Sequence, residues 1–434
     1  MVQPILTDDA VFEPWWWQAA PRPDEAPQPL PADCDVAIVG AGFTGLSAAL
    51  VLARAGRDVL VLDAGPIGAG ASSRNGGMIG SGHRVDFATL ERRYGKPMAE
   101  AIVREGLTSL EFTIALIERE QIACQFRRSG RFRGAWRPAD YEAFGREIDF
   151  MAKSFGVEAA MVPRAEQHRE IASEAYHGGC IYLSHGGLHP GLLHQGLLTR
   201  ARSAGATVLG QSPVTAIARE RDGFRLSVAG ASVAAREVIV ATNGYSGPAS
   251  PWHSRRLIPV PSYIIATEPL GKARVEELIP GGRMIVESRS RHCYYRPSPD
   301  GERLLFGGRA SVAPIPPAKA AVRLQRLLVG LFPSLAGVKV SHAWTGNVAF
   351  SRDHLPHLGR HEGVHYALGY SGSGVAMAPY LGHKVAHLLL GRDEGRSPFA
   401  ETPFRAFPLY DGRPWFLPLV EAKTRLADWR EGGG

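Results

Sequence analysis

A glycine-rich turn near the N-terminus has the residue types and spacing needed to hold a phosphate group. It reads Gly40-Ala41-Gly42-Phe43-Thr44-Gly45 and stands between an apolar segment and a segment with helical periodicity. Glycines so spaced allow a tight turn, bring the backbone close to a pyrophosphate and let a helix pack against a strand. The N-terminus of that helix offers unpaired N–H groups to the anion. The turn therefore predicts a dinucleotide site.

An acidic residue completes this motif. Asp63 ends the next apolar segment, 18 residues after Gly45, and Ala64 follows it. A carboxylate in this position accepts hydrogen bonds from ribose hydroxyls. A glycine-rich turn without a ligand is the alternative interpretation, but a strand, a helix and an acid in register favour binding.

A second polar, glycine-rich loop follows soon after the acid. It contains Ala71-Ser72-Ser73-Arg74-Asn75-Gly76. A loop of this kind indicates a ligand that extends beyond the pyrophosphate, which favours FAD over NAD. An ordinary surface loop is the alternative.

The elements that position these loops follow from hydrophobic periodicity. Apolar segments at 35–39 and 58–62 flank a helical pattern at 44–55, which predicts a βαβ unit. Residues 257–311 alternate apolar and polar side chains, as in an antiparallel sheet, and form a candidate substrate domain. Further helical patterns lie at 99–120, 140–155, 191–204, 320–331 and 375–390.

Composition limits the class of protein. The chain has 434 residues, 45% of them hydrophobic, which is enough for a large core and two domains. Its net charge of +7 is scattered, without a run of five basic residues, so no nucleic-acid partner is expected. The four cysteines are far apart, and His354 and His357 lack a third ligand at suitable spacing, so no metal is expected.

The N-terminal region predicts an arm rather than a targeting segment. Acids at Asp8, Asp9 and Glu13 do not fit a signal peptide, so a cytoplasmic location is expected. The uncharged stretch 36–53 is interrupted by glycines, so membrane insertion is not expected. Residues 1–32 are rich in proline and contain Trp15-Trp16-Trp17, which indicates an arm packed on the body.

Several separated blocks resemble the FAD-dependent D-amino-acid-oxidase-like superfamily, in particular its γ-glutamylputrescine oxidoreductase-like branch. The blocks span nearly the whole chain. They are Pro14-Trp15-Trp16, the two glycine-rich loops above, Gly187-Leu188-His189-Pro190, Val240-Ala241-Thr242-Asn243-Gly244-Tyr245, Ala266-Thr267-Glu268-Pro269-Leu270, Asp353-His354-Leu355-Pro356-His357-Leu358-Gly359 and Gly369-Tyr370-Ser371-Gly372-Ser373-Gly374-Val375.

The resemblance implies an α/β fold with an α+β second domain. A Rossmann-type, glutathione-reductase-like FAD-binding domain is expected from residues 33–115, 186–255 and 340–395. An antiparallel-sheet substrate domain is expected from 116–185 and 256–339. Residues 1–32 would then form the arm and 396–434 a C-terminal tail.

The resemblance also implies further cofactor contacts at Val214, Thr242, Asn243 and Gly372-Ser373-Gly374. The last turn would aim a helix N-terminus at the flavin, where it favours the negative charge that develops on reduction. Some relatives attach FAD to a cysteine, but the equivalent position here is Gly346. Noncovalent FAD is therefore expected.

The reaction implied is hydride transfer from the C–N bond of an amine to flavin N5, which gives an imine that water hydrolyses. Residues 304–306 lack the lysine that helps sarcosine oxidases to react with oxygen, so the resemblance leaves open whether oxygen or another compound is the electron acceptor. Arg74 matches an arginine near the flavin. Gly77 replaces the carboxylate-binding arginine of sarcosine oxidases, so a longer amine is expected rather than a small α-amino acid.

Candidate substrate contacts are drawn from the sheet region. Arg309 and His292 could bind an acidic end of the substrate, and Tyr263, Tyr295, Trp344 and Tyr370 could wall an amine; for each, a role in the core or a loop is the alternative. Arg289, Arg291, His292 and Arg296 are expected to form mostly solvated surface. Two other functions stay open: oxidation of amino acids or hydroxy acids, and a flavin-binding electron-transfer subunit.

Overall fold

Two large β-sheets organise the residues that the computed structural model describes, which are 5–23, 28–289 and 292–422. The strands in these ranges are β1 (Leu6–Val11), β2 (Asp33–Val39), β3 (Val59–Leu62), β4 (Met78–Ile79), β5 (Arg131–Gly134), β6 (Ala159–Val162), β7 (Gly179–Tyr182), β8 (Gly186–Gly187), β9 (Thr207–Leu209), β10 (Val214–Glu220), β11 (Gly223–Val228), β12 (Ala231–Val240), β13 (Ile258–Thr267), β14 (Met284–Glu287), β15 (Cys293–Pro297), β16 (Leu304–Gly308), β17 (Val340–Phe350), β18 (His357–His361) and β19 (Val364–Leu368).

The helices connect these strands and cover the sheets. They are α1 (Phe43–Arg54), α2 (Phe87–Tyr94), α3 (Lys96–Arg119), α4 (Pro138–Phe155), α5 (Pro190–Ser203), α6 (Pro251–Ser254), α7 (Lys272–Leu278), α8 (Pro317–Leu331) and α9 (Gly374–Leu389). The helices expected from periodicity are found as α1, α3, α4, α5, α8 and α9, with starts within three residues of the predicted positions. No helix in the described ranges is long and apolar enough to cross a membrane.

The first sheet has the parallel core that the sequence predicted. Strands β19, β12, β2, β3 and β9 lie side by side in parallel, and β10 and β11 extend this sheet as an antiparallel meander. The cores of β2 and β3 are almost entirely apolar because helices cover one face of these strands and the meander region covers the other. Helix α1 packs against α5 and α9 on this sheet.

The second sheet has nine strands in the order β1-β17-β13-β16-β15-β14-β5-β7-β6. Most neighbours are antiparallel, as the alternating sequence predicted. One face packs against α8 in a core that includes Tyr263, Ile265 and Phe306. The other face turns toward the first domain and is partly covered by the N-terminal arm.

The structure differs from the expected domain assignment in three places. The segment 340–395 was assigned to the first domain, but β17 pairs with β13 in the second sheet, and the first sheet resumes only at β18. The arm is not merely packed on the body, because β1 adds a parallel edge strand to the second sheet. Within the expected tail, Phe399 is buried in the core of the first domain, and residues 423–434 lie outside the described ranges.

Candidate active site

A cavity of about 430 Å³ lies at the carboxyl ends of β2, β3 and β12. This is where ligands bind in open parallel sheets, and the volume falls within the range of small-molecule sites, roughly 300–1,000 Å³. Most of the expected cofactor residues line it. They are Gly40, Gly42, Phe43, Thr44, Asp63, Ala64, Ala71, Ser72, Asn75, Val214, Thr242, Asn243, Gly372 and Gly374.

The glycines of the first turn are required by close contacts. Gly40 has φ +109°, and a Cβ there would lie 2.9 Å from the carbonyl oxygen of Ala241. A Cβ on Gly45 would lie 1.9 Å from the carbonyl oxygen of Gly40, so this glycine lets α1 sit directly on the end of β2. Gly45 itself does not line the cavity and acts through packing.

The Asp63 carboxylate holds the first glycine-rich turn in place and can still accept hydrogen bonds from a ligand. One carboxylate oxygen accepts from the backbone N–H of Ala41 (2.8 Å) and the other from that of Gly65 (3.2 Å). A carboxylate has about four acceptor sites, so two further hydrogen bonds can still be accepted. His194, which sequence reasoning missed, also lines the cavity, and its Nε2 donates to the carbonyl oxygen of Ala41 (2.7 Å). Burial lowers the pKa of His194.

Two helix N-termini meet at the cavity. Helix α1 begins there after Gly42, and the backbone N–H of Phe43 donates to the Ser72 hydroxyl (2.9 Å). Helix α9 begins there after Ser373. The Ser373 hydroxyl donates to the carbonyl oxygen of Gly82 (2.8 Å) and does not cap α9. The hydroxyls of Thr44 and Tyr370 lie 2.6 Å apart and join the two termini. The positive ends of both helix dipoles therefore favour an anionic or electron-accepting ligand.

Three indole N–H groups hold the second glycine-rich loop. Trp16 donates to the carbonyl oxygen of Asn75 (2.8 Å), Trp17 to the hydroxyl of Ser73 (2.9 Å) and Trp344 to the carbonyl oxygen of Arg74 (2.8 Å). Ser73 and Arg74 were expected to contact the cofactor, but neither lines the cavity. Their contacts instead tie the arm and the second sheet to the loop.

The guanidinium of Arg74 completes this attachment. It donates to the carbonyl oxygens of Ala69 (2.6 Å) and Thr345 (3.1 Å) and stacks over the ring of Trp17 (4.6 Å). Gly346 lies beside Arg74, where a Cβ would be 3.3 Å from the Arg74 side chain. Gly346 therefore leaves room for Arg74 and does not itself line the cavity.

The register of the second sheet decides which side chains face the first domain. Ser262 pairs with Gly346, and Tyr294 pairs with Gly307, so these positions share the face that turns to the cavity loops. The Tyr294 hydroxyl lies 2.9 Å from that of Ser262, and a Cβ on Gly76 would be 3.0 Å from the Tyr294 ring. Burial raises the pKa of Tyr294 to about 12, so its hydroxyl is neutral at ordinary pH.

Tyr263, Tyr295 and Trp344 do not occupy the positions expected of substrate contacts. Tyr263 faces α8 and accepts from the backbone N–H of Ile315 (2.8 Å). The hydroxyl of Tyr295 lies 2.7 Å from that of Tyr176 in the same core. Trp344 faces the first domain but lies buried under the arm. The period of two in a strand places Tyr294 and Tyr295 on opposite faces, but only the packing of α8 shows which of the two faces is core.

The basic residues of β15 and β16 also differ from expectation. Arg296 is buried rather than solvated, and its Nη1 donates to the carbonyl oxygens of Gly77 (2.8 Å) and Leu188 (2.9 Å). Burial lowers the pKa of Arg296 to about 9. Arg309 lies over the ring of Phe350 (5.5 Å).

The other members of the expected basic surface patch are placed as follows. His292 lies near Tyr294, with 6.5 Å between ring centroids. Arg289 pairs with Glu287, with 2.7 Å between Nε and Oε1. Arg291 lies outside the described ranges.

Two further residues line the cavity from different domains. Tyr245 follows β12 and Asn347 belongs to β17, and the backbone N–H of Asn347 donates to the Tyr245 hydroxyl (3.3 Å). In the described part of the chain, no group of three His, Cys, Asp or Glu side chains could hold a metal ion. None of the four cysteines lines the cavity.

Comparison with known proteins identifies the cofactor. The family model described as FAD dependent oxidoreductase, DAO, matches residues 35–388. The chain belongs to the DAO family. It is an FAD-dependent oxidoreductase, and its glycine turn, acid and two helix N-termini fit a dinucleotide.

DAO relatives match this chain over most of its length. γ-Glutamylputrescine oxidoreductase of Escherichia coli (strain K12) is 33% identical over 389 residues, which cover 89% of this chain and 90% of the relative. Probable oxidoreductase OrdL of Rhizobium meliloti (strain 1021) is 31% identical over 403 residues, or 91% and 92% of the two chains. The crystal structure of glycine oxidase from Geobacillus kaustophilus superimposes with a TM-score of 0.72 at 23% identity, covering 87% of this chain and 99% of that one. This likeness confirms the fold.

Proposed function

We propose that this protein oxidises the C–N bond of a primary or secondary amine of the γ-glutamylputrescine type. When bound, FAD supplies a hydride acceptor at N5, and the oxidised substrate is an imine that water hydrolyses. Similarity to γ-glutamylputrescine oxidoreductase, over about nine-tenths of both chains, supports the amine class.

The observation that carries the proposal is that neighbouring atoms leave no room for a side chain at Gly77. A Cβ there would lie 2.2 Å from the carbonyl oxygen of Leu188 and 2.9 Å from Nη1 of Arg296. No larger side chain fits at the position where sarcosine oxidases carry a carboxylate-binding arginine. Nε and Nη1 of the nearby Arg296 already donate to three backbone carbonyls, which anchors this guanidinium to the backbone. This favours an amine without a carboxylate next to the reacting carbon.

The chain's own residues have separate tasks in this proposal. Asp63 and the N-terminus of α1 hold the dinucleotide, and the N-terminus of α9 favours negative charge on the flavin. The ring of Tyr294 lies beside Gly76, and its neutral hydroxyl, with that of Ser262 2.9 Å away, orients the amine through hydrogen bonds. The buried tryptophans of the arm exclude water from the adjoining face of the sheet.

Oxidation of a small amino acid is the second candidate. Glycine oxidase of Geobacillus kaustophilus is 27% identical over 378 residues, which supports it. The crowding at Gly77 disfavours this substrate. A flavin that is reduced by glycine or sarcosine, and not by a longer amine, would favour the second candidate.

Product analysis tests the proposal. The purified holoenzyme is incubated with γ-glutamylputrescine, putrescine, glycine and sarcosine, with either air or an artificial dye as electron acceptor. We expect ammonia and an aldehyde from γ-glutamylputrescine, with at most slow turnover of glycine and sarcosine. Equal or faster turnover of glycine would overturn the proposal. Residues 304–306 are buried and uncharged, so they do not indicate the electron acceptor. Comparison of turnover in air with turnover with the dye shows whether oxygen accepts the electrons.

A further inference from the structure

Two hydrogen-bond donors meet where the second sheet faces β4, namely the side chains of Arg131 on β5 and of His185 just before β8. Arg131 pairs across the sheet with Tyr182, and the ring of His185 stacks on that of Tyr182, 5.1 Å between centroids. Phe132 lies in the α8 core, so Arg131 points to the opposite face, toward the first domain. A Cβ on Gly80 would lie 2.8 Å from Nδ1 of His185 and 2.9 Å from Nη2 of Arg131. Both side chains therefore converge on Gly80, which follows β4.

His185 presents a buried N–H group at this point. The residue is 3% exposed, and burial lowers its pKa well below the usual range, so the ring is neutral. The backbone N–H of Ser81 donates to Nε2 (3.3 Å), which is therefore the acceptor nitrogen. A neutral imidazole has one acceptor and one donor nitrogen, so the proton lies on Nδ1. This Nδ1 is buried and has no hydrogen-bond partner among the described residues.

The charge of Arg131 has no acid beside it in the described part of the chain. Burial lowers the pKa of Arg131 to about 10, so the guanidinium is still cationic at neutral pH, and its Nε is buried without a hydrogen-bond partner there. Glu147 on the adjoining α4 accepts instead from Arg133 (2.8 Å) and from the Tyr182 hydroxyl (3.1 Å). The residue Arg131 as a whole is half-buried, so solvent reaches it. Buried donors without partners are costly, and a bound ion is one way to satisfy them.

We propose that Arg131 and His185 bind a carboxylate between the two domains. A guanidinium and a neutral imidazole N–H that converge on one point provide donors for both oxygens of one carboxylate. Neither residue lines the cofactor cavity, so this is a separate site. The carboxylate belongs either to the substrate or to a free molecule, and the experiments below separate these sources. The inference does not depend on the proposed amine oxidation.

Binding of glutarate tests the inference without catalysis. The holoenzyme is titrated calorimetrically at constant ionic strength with glutarate and with glutaramide, which has the same length but no charge. We expect glutarate alone to bind. Arg131→Met should weaken its binding at least about tenfold, because charge-assisted hydrogen bonds are lost, and His185→Phe, which keeps a ring beside Tyr182, should also weaken it. Arg225→Met is the control, since Arg225 is exposed on the distant meander.

Thermal unfolding of the same proteins gives a second measurement. Without glutarate, Arg131→Met should be at least as stable as the wild type, because an apolar side chain replaces a charge that has no acid beside it. Glutarate should raise the Tm of the wild type and leave that of Arg131→Met unchanged. The flavin spectrum shows that each variant has folded. A variant that is less stable than the wild type, with no effect of glutarate on either protein, would mean that Arg131 has only a structural role.

Steady-state kinetics separate the two sources of the carboxylate. A raised KM for γ-glutamylputrescine in Arg131→Met, with kcat unchanged, would assign the site to the substrate's own carboxylate. An unchanged KM together with lost glutarate binding would assign it to a free carboxylate. No binding of glutarate by the wild-type holoenzyme, or equal affinity in Arg131→Met, would overturn the inference. If glutarate binds as expected but no amine reduces the flavin, the proposed function fails while the carboxylate site stands.

Discussion

Some positions of the cofactor site accept only glycine because neighbouring atoms leave no room for a Cβ. The first prediction tests one of these positions. Gly45→Ala places a Cβ 1.9 Å from the carbonyl oxygen of Gly40, so α1 must move off the sheet. Such overpacking typically costs about 1–3 kcal/mol. We expect lower thermal stability and loss of bound FAD, measured by unfolding and by the visible flavin absorbance.

Gly330→Ala is the matched control for this change. Gly330 also lies in a helix, α8, but a Cβ there meets nothing within 4 Å. Replacing an exposed helical glycine by alanine stabilises by up to about 1 kcal/mol. Equal effects of the two substitutions would contradict the packing role assigned to Gly45.

Adjacent tyrosines on β15 give a second prediction, because they point to opposite faces. Tyr294→Phe removes a hydroxyl on the face toward the cavity loops, and Tyr295→Phe removes one in the α8 core. Loss of one hydrogen bond is worth about 0.5–1.5 kcal/mol, or up to roughly tenfold. We expect Tyr294→Phe to lower kcat/KM for γ-glutamylputrescine about tenfold.

Tyr295→Phe should instead lower stability by about 1 kcal/mol with kcat/KM nearly unchanged. Steady-state kinetics and urea unfolding of both variants separate these effects. A catalytic defect confined to Tyr295→Phe would show that the register does not select the reactive face as proposed.

At the scale of the elements, the third prediction concerns the contacts of the N-terminal arm with the second glycine-rich loop. Trp16→Phe and Trp17→Phe each keep an aromatic ring but remove an N–H that holds the loop of Ser73 and Asn75. An unsatisfied buried acceptor costs about 1–3 kcal/mol. Because this loop lines the cavity, we expect the dissociation constant of FAD to rise by at least fivefold. Fluorescence of released FAD measures it.

Trp415→Phe is the control for the arm, since Trp415 is 63% exposed and lies in the C-terminal segment. It should leave the affinity for FAD unchanged. If Trp16→Phe and Trp17→Phe also retain wild-type affinity, the arm packs on the loop without positioning it.

The elements also show how far sequence reasoning reaches. The βαβ unit was predicted because periodicity, glycine spacing and an acid all act over a short stretch, from β2 to Asp63. The membership of β17 was missed because a strand's sheet is decided by a distant partner, here β13. Choosing Tyr295 over Tyr294 failed for the same reason, since the buried face depends on how α8 packs.

Over the whole molecule, buried histidines make stability depend on pH. Burial is the main cause that lowers their pKa, to about 3 for His253 and to about 4 for His83, His189, His342, His365 and His383. In the unfolded chain, histidine has a pKa of about 6.5. As the pH falls from about 6.5 to 4, the unfolded state therefore takes up protons that the folded state excludes. The free energy of unfolding should fall through this window.

One of these histidines allows the dependence to be tested. Nδ1 of His189 accepts from the backbone N–H of Leu192 (3.1 Å) at the start of α5, a cap that asparagine can also provide. Urea unfolding between pH 7 and pH 4.5 gives the free energy of unfolding at each pH. Its slope with pH should be smaller for His189→Asn than for the wild type, by up to about 1.4 kcal/mol per pH unit. Exposed His168→Asn serves as control. Identical slopes for all three proteins would contradict the prediction.

At the scale of the whole molecule, the central claim is amine oxidation between the two domains, because the cofactor loops belong to one domain and Tyr294 to the other. The most direct test is an anaerobic titration of the purified protein with γ-glutamylputrescine, followed through the visible flavin absorbance. The account predicts that the flavin band bleaches in proportion to added amine, while glycine at the same concentration leaves it largely unchanged. A flavin band that persists with γ-glutamylputrescine and every other amine would contradict it.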